Sequence, residues 1–226
     1  MIGIDSLYNT VTKYLVLKGK GGYGSNAQFN DDVRRAQLYL LNYYINRYDE
    51  SSIIEESLSP FIVETSFDLA AYTAAKPTDF RHKISAKYEY ALNNADCTDT
   101  TLKGFPLVEL TVNDWFSTHA STIRGASLEK ERGYYSIIND TMRFSFKNGT
   151  VTMNYIKVAP TATRAVVLDT GTDNENYTST GTIDLIWNSS DENNLVDIML
   201  WFKGLQIRES EILNWVISNK QLNGVQ

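Results

Sequence analysis

Near both ends of the chain, apolar residues recur every three or four positions, a spacing typical of amphipathic helices. The first such stripe lies close to the N-terminus and consists of Ile4, Leu7, Val11, Tyr14 and Leu15. A second helix is expected to begin at Asp31 and Asp32, with a stripe of Val33, Ala36, Leu40, Leu41, Tyr44, Ile45 and Tyr48. Tyr39 and Tyr43 lie off that stripe, so this helix is apolar around most of its circumference. Such a helix usually packs on more than one neighbour.

Toward the C-terminus the pattern predicts a strand, a capped helix, a tight turn and another helix. Residues 182–187 alternate like a strand, and Ser189 precedes Glu192 by three positions, which is the spacing of a capping box. Helical spacing follows in Leu195, Ile198, Met199 and Phe202. Gly204 stands where a helix stop favours glycine. The last helix is expected to resume near Arg208, with a buried side formed by Ile212, Leu213, Val216 and Trp215.

Between these helical ends the period of the pattern changes to two, which predicts strands. Residues 61–67 and 83–91 read as strands, and a short helix is predicted over residues 112–119. Residues 142–146 and 151–155 flank Asn148-Gly149, a dipeptide that favours the type I′ turn of a β-hairpin. Residues 171–181 are rich in Thr, Asn and Gly, and we expect them to form an exposed loop.

These elements predict an α+β fold in one domain of 226 residues. The helical module comprises residues 1–58 and 189–222, and a central antiparallel β module with the Asn-Gly hairpin comprises residues 59–188. A hydrophobic fraction of 42% and a charged fraction of 21% are those of a globular protein. The net charge of −6 provides no basic footprint for nucleic acid, and the single cysteine, Cys97, excludes an intrachain disulfide.

Four motifs resemble functional sites, and each is explained better by an ordinary structural role. Residues 19–24 match G-x-G-x-x-G but follow a helical pattern instead of a strand, so an interhelical loop is expected. Asp169-Thr170-Gly171 resembles an aspartic protease loop, yet that chemistry needs two carboxylates, hence a dimer here. A calcium loop requires glycine at its sixth position and glutamate at its twelfth, where residues 169–180 have Asn174 and Thr180. His82 and His119 lie in different segments, and neither has a second residue at the spacing of a metal site or a catalytic triad. We therefore predict no catalytic, cofactor or metal site.

The order of several segments resembles the head–tail connector proteins of tailed bacteriophages, most closely the podovirus-like and crAss-like ones. A Pro-x-Asp-Phe step before a long strand corresponds to residues 77–80, and a tyrosine-rich stretch before the hairpin corresponds to residues 134–138. A Tyr-to-Pro step follows at residues 155–160. Residues 183–187 and 205–211 are similar to the family's strand with tryptophan and its interhelical turn, although Asn188 replaces the family's proline.

This resemblance implies a structural virion protein that is not an enzyme. It would form a ring, typically a dodecamer, that extends the portal channel for DNA passage and joins the portal to tail or neighbouring ring proteins. The protein would assemble in the host bacterial cytoplasm and reside in the virion neck, without binding DNA specifically and without a membrane partner. The alternatives are another virion part, such as a fibre anchor or minor capsid protein, and a dimeric aspartic protease.

Within such a ring we expect two kinds of contact residue. Tyrosine-rich helices can be buried between copies, which makes the subunit-interface candidates Tyr39, Tyr43, Tyr44 and Trp215. The predicted loop would dock on the next layer, with candidates Asp173, Asn174 and Tyr177.

Overall fold

A computed structural model describes residues 1–23, 25–48, 52–91, 102–119, 125–169 and 175–204. The chain divides into two compact units. One comprises Met1–Pro60 and Ala159–Gln226, and the other comprises Phe61–Val158. The first contains most of the helices and the second contains most of the strands, so the predicted α+β class is confirmed.

The helices are α1 (Ile4–Leu17), α2 (Asn26–Asn46), α3 (Ser52–Leu58), α4 (Val112–His119) and α5 (Glu192–Phe202). The strands are β1 (Ile62–Leu69), β2 (Thr73–Ala75), β3 (Phe80–Ala91), β4 (Leu102–Glu109), β5 (Gly133–Ile138), β6 (Thr141–Phe144), β7 (Gly149–Lys157), β8 (Thr163–Leu168) and β9 (Glu175–Ile183). Strands β1 to β7 belong to the unit Phe61–Val158. Strands β8 and β9 belong to the unit that contains most of the helices.

Helix α2 begins five residues before the predicted start at Asp31. Ser25 is its N-cap, and the Ser25 Oγ accepts a hydrogen bond of 3.2 Å from the Gln28 N–H. The Glu175 carboxylate accepts a bond of 2.8 Å from the Asn26 N–H at the same helix end. Asp32 is buried instead of capping, and its Oδ2 lies 2.7 Å from the Lys203 Nζ. Asp31 is exposed and its carboxylate lies 2.7 Å from Arg34, so neither acid caps the helix and Ser25 starts it.

Helix α5 likewise starts differently from the predicted capping box. A turn of 3₁₀ helix over Ser189–Asp191 precedes it, and Asp191, not Ser189, occupies the N-cap position. Leu195, Ile198 and Met199 are buried as predicted. Gly204 has φ +69°, which confirms the predicted left-handed stop. The predicted last helix, near Arg208, lies outside the described residues.

The larger sheet has the strand order β1-β7-β3-β4-β5-β6-β2, and its only parallel pair among the described strands is β4 with β5. Its two edge strands are joined by Ala70–Tyr72, a link that spans at most about 14 Å. The edges must therefore lie close together, and the sheet curls around one interior. That interior contains Leu69, Ala86, Tyr88, Phe105, Leu107, Tyr135, Met142, Phe144, Val151 and Met153.

The Asn-Gly segment does not close the predicted hairpin, because β6 pairs with β5 and β2 whereas β7 pairs with β1 and β3. Asn148 has φ +63°, but Gly149 lies outside the left-handed region that a type I′ turn requires. A Cβ on Gly149 would come 2.5 Å from the Glu89 carbonyl oxygen and 2.6 Å from the Tyr88 Oη. This glycine permits a close approach of strands instead of a turn.

Strands β8 and β9 form a separate two-stranded ribbon, which corrects two predictions. Residues 175–181 of the predicted loop are strand, and the predicted strand over residues 182–187 is regular only to Ile183. The ribbon belongs with the helices and not with the β module of residues 59–188, since Arg164 at its base bonds to α1 and α2. Residues 171–174 lie outside the described residues.

Candidate functional site

Aromatic side chains of α2 and α5 form a partly exposed surface in the helical unit. Tyr39 is half-buried, and its ring lies 5.9 Å from the ring of Trp201, which is 36% exposed. Leu38 is 38% exposed on the same helix as Tyr39. Phe202 is half-buried, with its ring 5.4 Å from that of Trp201 and 5.2 Å from the Arg35 guanidinium. We call Leu38, Tyr39, Trp201 and Phe202 the aromatic surface.

Tyr43 continues α2 one turn beyond Tyr39. It is half-buried, and its Oη accepts a hydrogen bond of 2.6 Å from Arg47. The Arg47 guanidinium lies 4.7 Å from the centre of the Tyr43 ring, a cation–π geometry. Arg47 thus orients Tyr43 along the helix, and Tyr39 and Tyr43 retain accessible area as the sequence-based proposal requires.

Tyr44 belongs to the core, which removes it from the candidates for a subunit contact. It is 7% exposed, and its Oη donates a bond of 2.6 Å to the Oδ1 of Asp191, which is 1% exposed. The same Oδ1 accepts a bond of 3.3 Å from the Ser57 Oγ. Burial first, and then the bond to Asp191, raise the pKa of Tyr44 well above its ordinary value. The sequence pattern correctly assigned Tyr44 to the apolar stripe of α2. It did not predict the bond to Asp191, because that residue is 147 positions away in sequence.

The remaining candidates divide between the ribbon and the undescribed residues. Trp215, Asp173 and Asn174 lie outside the described residues. Tyr177 is 43% exposed on β9, and the Arg164 guanidinium lies 5.2 Å from the centre of its ring. Tyr177 is therefore part of a strand that rests on a buried cation, and not of the loop that the sequence predicted.

Arg164 organises a buried polar cluster that sequence reasoning missed. Its Nε donates a bond of 2.8 Å to Asp5, and its guanidinium lies 3.9 Å from the centre of the Tyr8 ring. The backbone of Arg164 bonds to Asn30 in both directions, and its carbonyl also accepts a bond from Asn26. The side chain is 8% exposed, and these partners are more than 130 residues away in sequence. No local pattern signals such a cluster.

Further exposed apolar residues of the helical unit lie outside the aromatic surface, including the two groups that follow. At the outer end of the ribbon, Val167 is 59% exposed and Leu168 is 62% exposed, and Asp169 and Glu175 are exposed beside them. In the last turns of α1, Tyr14 is 47% exposed and Leu17 is 69% exposed.

The described part of the glycine motif, residues 19–23, follows α1 and ends that helix, as the interhelical-loop interpretation predicts. Gly19 has φ +67°, the Gly19 N–H bonds to the Val16 carbonyl and the Lys20 N–H bonds to the Leu15 carbonyl. These two bonds define a Schellman motif at the end of α1. The glycine spacing therefore reflects how the helix ends and not a phosphate cradle.

The other candidates for chemistry belong to three different elements of the chain. Asp169 is exposed directly after β8, and His82 is exposed on β3. His119 is the last residue of α4. Within the described part of the chain, no three acids, histidines or cysteines are grouped so that they could hold a metal ion.

Comparison with models of known protein families gave no match. Comparison with curated protein sequences gave no match either. Among the described residues, no helix is both long and apolar enough to cross a bilayer.

Proposed function

We propose that this protein is a structural component of the head–tail connector of a tailed bacteriophage. In this role copies of the chain form a ring, typically of twelve, that extends the portal channel and joins the portal to the tail. The proposal rests on the order of sequence segments that resemble connector proteins, and it places the protein in the neck of the virion. Its partners are further copies of itself, the portal and a neighbouring ring or tail protein.

The structural observation that supports assembly into a ring is the aromatic surface of α2 and α5. Trp201 and Leu38 are each more than a third exposed, and Tyr39 lies against Trp201. Aromatic side chains that are only half covered in one subunit are enriched where subunits meet, because ring and polar tip can both be satisfied there. A ring exposes two lateral faces per copy and gives such a surface a partner.

The charge of the chain suits a channel that DNA crosses without being held. The net charge is −6, so the protein has no excess of lysine and arginine with which to bind phosphates. A basic channel wall would release counterions from DNA and thereby bind it. Passage of DNA during packaging and ejection favours the opposite balance.

The test is to determine the size and location of the assembly. Mass photometry and negative-stain microscopy of the purified chain, alone and mixed with the portal of the same virus, should reveal rings with the portal's symmetry. Antibody labelling of intact particles should mark the neck. Labelling of the fibres or capsid instead, with no ring on the portal, would assign the chain to another virion part.

A peptidase assay tests the competing enzymatic interpretation. Asp169 is exposed after β8, and Asp169→Asn should remove no proteolytic activity from purified protein at any pH. Pepstatin-sensitive cleavage that is lost in Asp169→Asn would refute the structural role.

A further inference from the structure

The aromatic surface lies close to the place where the described chain leaves α5. Tyr44 of α2 bonds to Asp191 at the start of α5, and the Lys203 Nζ just after α5 lies 2.7 Å from the Asp32 Oδ2 of α2. These two contacts show that α2 and α5 are antiparallel. The chain therefore leaves α5 beside the first half of α2, within about two helical turns of the aromatic surface.

The chain turns at this exit point. Gly204 has φ +69°, the conformation of a left-handed helix stop. Residues 205–207 separate it from Arg208, where the sequence pattern predicts the next helix. Connections of this length commonly join antiparallel helices that pack side by side. Residues 205–226 lie outside the described residues, and it is their sequence that bears on the aromatic surface.

Residues 208–216, which we call the C-terminal segment, have an apolar face with one acid at its start. At helical spacing Ile212 and Val216 share a face, and Leu213 borders it. Glu209 precedes Ile212 by three positions and falls on the same face. Along this face the segment therefore offers a carboxylate first and apolar side chains next.

The aromatic surface has the complementary order of side chains. Arg35 is exposed, and its guanidinium lies 5.2 Å from the centre of the Phe202 ring, close to the chain exit. Leu38 and Tyr39 follow Arg35 by three and four positions, so the three share one face of α2. Arg35 and Tyr43 are about 12 Å apart along the helix, which is the length of the C-terminal segment as a helix. A segment that returns from the exit thus meets the positive charge first and the apolar residues next.

We infer that the C-terminal segment covers the aromatic surface of its own chain in the free subunit and is displaced when a neighbouring subunit docks there. The inference rests on the proposed function, in which this surface is a subunit contact, and adds how that contact is controlled. The short connection holds the segment at a local concentration on the order of 1 mM. A contact with an intrinsic Kd of about 100 µM is then closed about ten times as often as it is open.

This cover makes assembly depend on the portal. Free subunits that are open about one tenth of the time associate about tenfold more weakly than subunits without a cover. A portal that holds several copies side by side raises the local concentration of competing subunits, which favours displacement of the segment. Rings therefore form where the portal gathers subunits and not throughout the cytoplasm.

Two glutamates on the apolar face of the segment test the cover in the full-length chain. Ile212→Glu/Val216→Glu, the open variant, should strengthen self-association about tenfold in sedimentation, because it frees the surface. Asn214→Glu/Ser218→Glu, the control variant, carries the same two charges at the same spacing on the opposite helical face and should associate like the wild type.

Three results of this experiment would overturn the inference. Equal association of the open and control variants would show that the segment does not cover the surface. Weaker association of the open variant would show that the segment is itself a subunit contact. Loss of helical circular dichroism in the open variant alone would show that the segment is core instead of a removable cover.

Alkylation of a cysteine in the surface measures the cover directly. In a Cys97→Ser background, Leu38→Cys should react with a maleimide several-fold faster in the open variant than in the control variant or the otherwise unchanged chain. Protection should be equal at about 1 µM and about 100 µM protein, because segment and surface belong to one chain. Protection that develops only at the higher concentration would mean that another copy covers the surface, which overturns the inference.

The results separate this inference from the proposed function. Rings on the portal, together with equal reactivity of Leu38→Cys in every variant, would refute the cover and leave the connector role standing. Protection that is independent of concentration, in a protein that antibody labelling places outside the neck, would refute the connector role and leave the cover standing.

Discussion

Replacing Arg164 by methionine should destabilise the helical unit far more than the same change at a surface arginine. Arg164 is 8% exposed, and its Nε lies 2.8 Å from a carboxylate oxygen of Asp5. Arg34 makes an ion pair of nearly equal length, 2.7 Å, with Asp31, but both side chains are more than half exposed. Arg34→Met is therefore a matched control in which distance is held constant and burial differs.

The expected loss in the free energy of unfolding follows from the interactions that each guanidinium makes. Removing one partner of a fully buried pair costs about 3–5 kcal/mol. Asp5 is 32% exposed and can regain water, which lowers that cost, whereas the stacking of Arg164 on Tyr8 adds about 1 kcal/mol. We expect Arg164→Met to lower the free energy of unfolding by about 2–4 kcal/mol. Arg34→Met should lower it by less than about 1 kcal/mol.

The assay is urea unfolding followed by tryptophan fluorescence in a Trp115→Phe background. A chain with two compact units need not unfold in one transition, so the signal must come from one of them. Trp115 belongs to the strand-rich unit and the other tryptophans belong to the helical unit, so this background reports the helical unit. A cost for Arg164→Met no larger than that for Arg34→Met would refute the structural role of the cluster.

Three further predictions concern assembly, pH and packing. Tyr39→Ser and Tyr43→Ser together should shift mass photometry toward smaller species while circular dichroism stays unchanged; unfolding of the monomer would show that both are core. Tyr155 has its pKa raised to about 12 by burial and by its bond to Asp79, so the folded state favours the neutral phenol. The contribution of Tyr155 to the free energy of unfolding should be fully present below pH 10 and be lost between pH 10 and about 12, in step with tyrosinate absorbance. A free energy of unfolding that stays constant over this range would contradict the prediction. Gly149→Ala should cost about 1–3 kcal/mol in urea unfolding because its Cβ would overlap Tyr88 and Glu89. Gly3→Ala, whose Cβ would have its nearest neighbour at 3.9 Å, should cost less than about 1 kcal/mol, and equal costs would show that crowding is not the reason for Gly149.

Local patterns determined the type of most elements, because helical and strand periodicity are properties of neighbouring residues. Of the predicted stripe, Ile4, Leu7, Val11 and Leu15 form the buried face of α1, whereas Tyr14 is 47% exposed and was wrongly included. The alternation over residues 83–91 is that of β3. The short helix over residues 112–119 has the predicted bounds, since the apolar and polar positions there repeat with the helical period. Gly204 adopts the predicted helix stop for an equally local reason.

Starts of helices were less predictable, because several residues can cap and only the fold selects one. The sequence pattern placed the start of α2 at Asp31, but Ser25 takes the N-cap position, where the ribbon brings Glu175 to the same helix end. Ser189 had the spacing of a capping box, yet a 3₁₀ turn over Ser189–Asp191 precedes α5, and its last residue, Asp191, is buried and bonded to Tyr44.

Only the tertiary structure decided which strands are neighbours and which polar residues meet. Asn148-Gly149 is a hairpin signal by composition, but the curled sheet places β6 and β7 on different partners and uses Gly149 for a close approach to Tyr88. Arg164 meets Asp5 across 159 positions of sequence. Turn propensity and periodicity depend on a few neighbouring residues, whereas strand order and the pairing of buried charges depend on the free energy of the whole chain. The sequence by itself therefore determined the type of most elements, and the packed fold determined their neighbours.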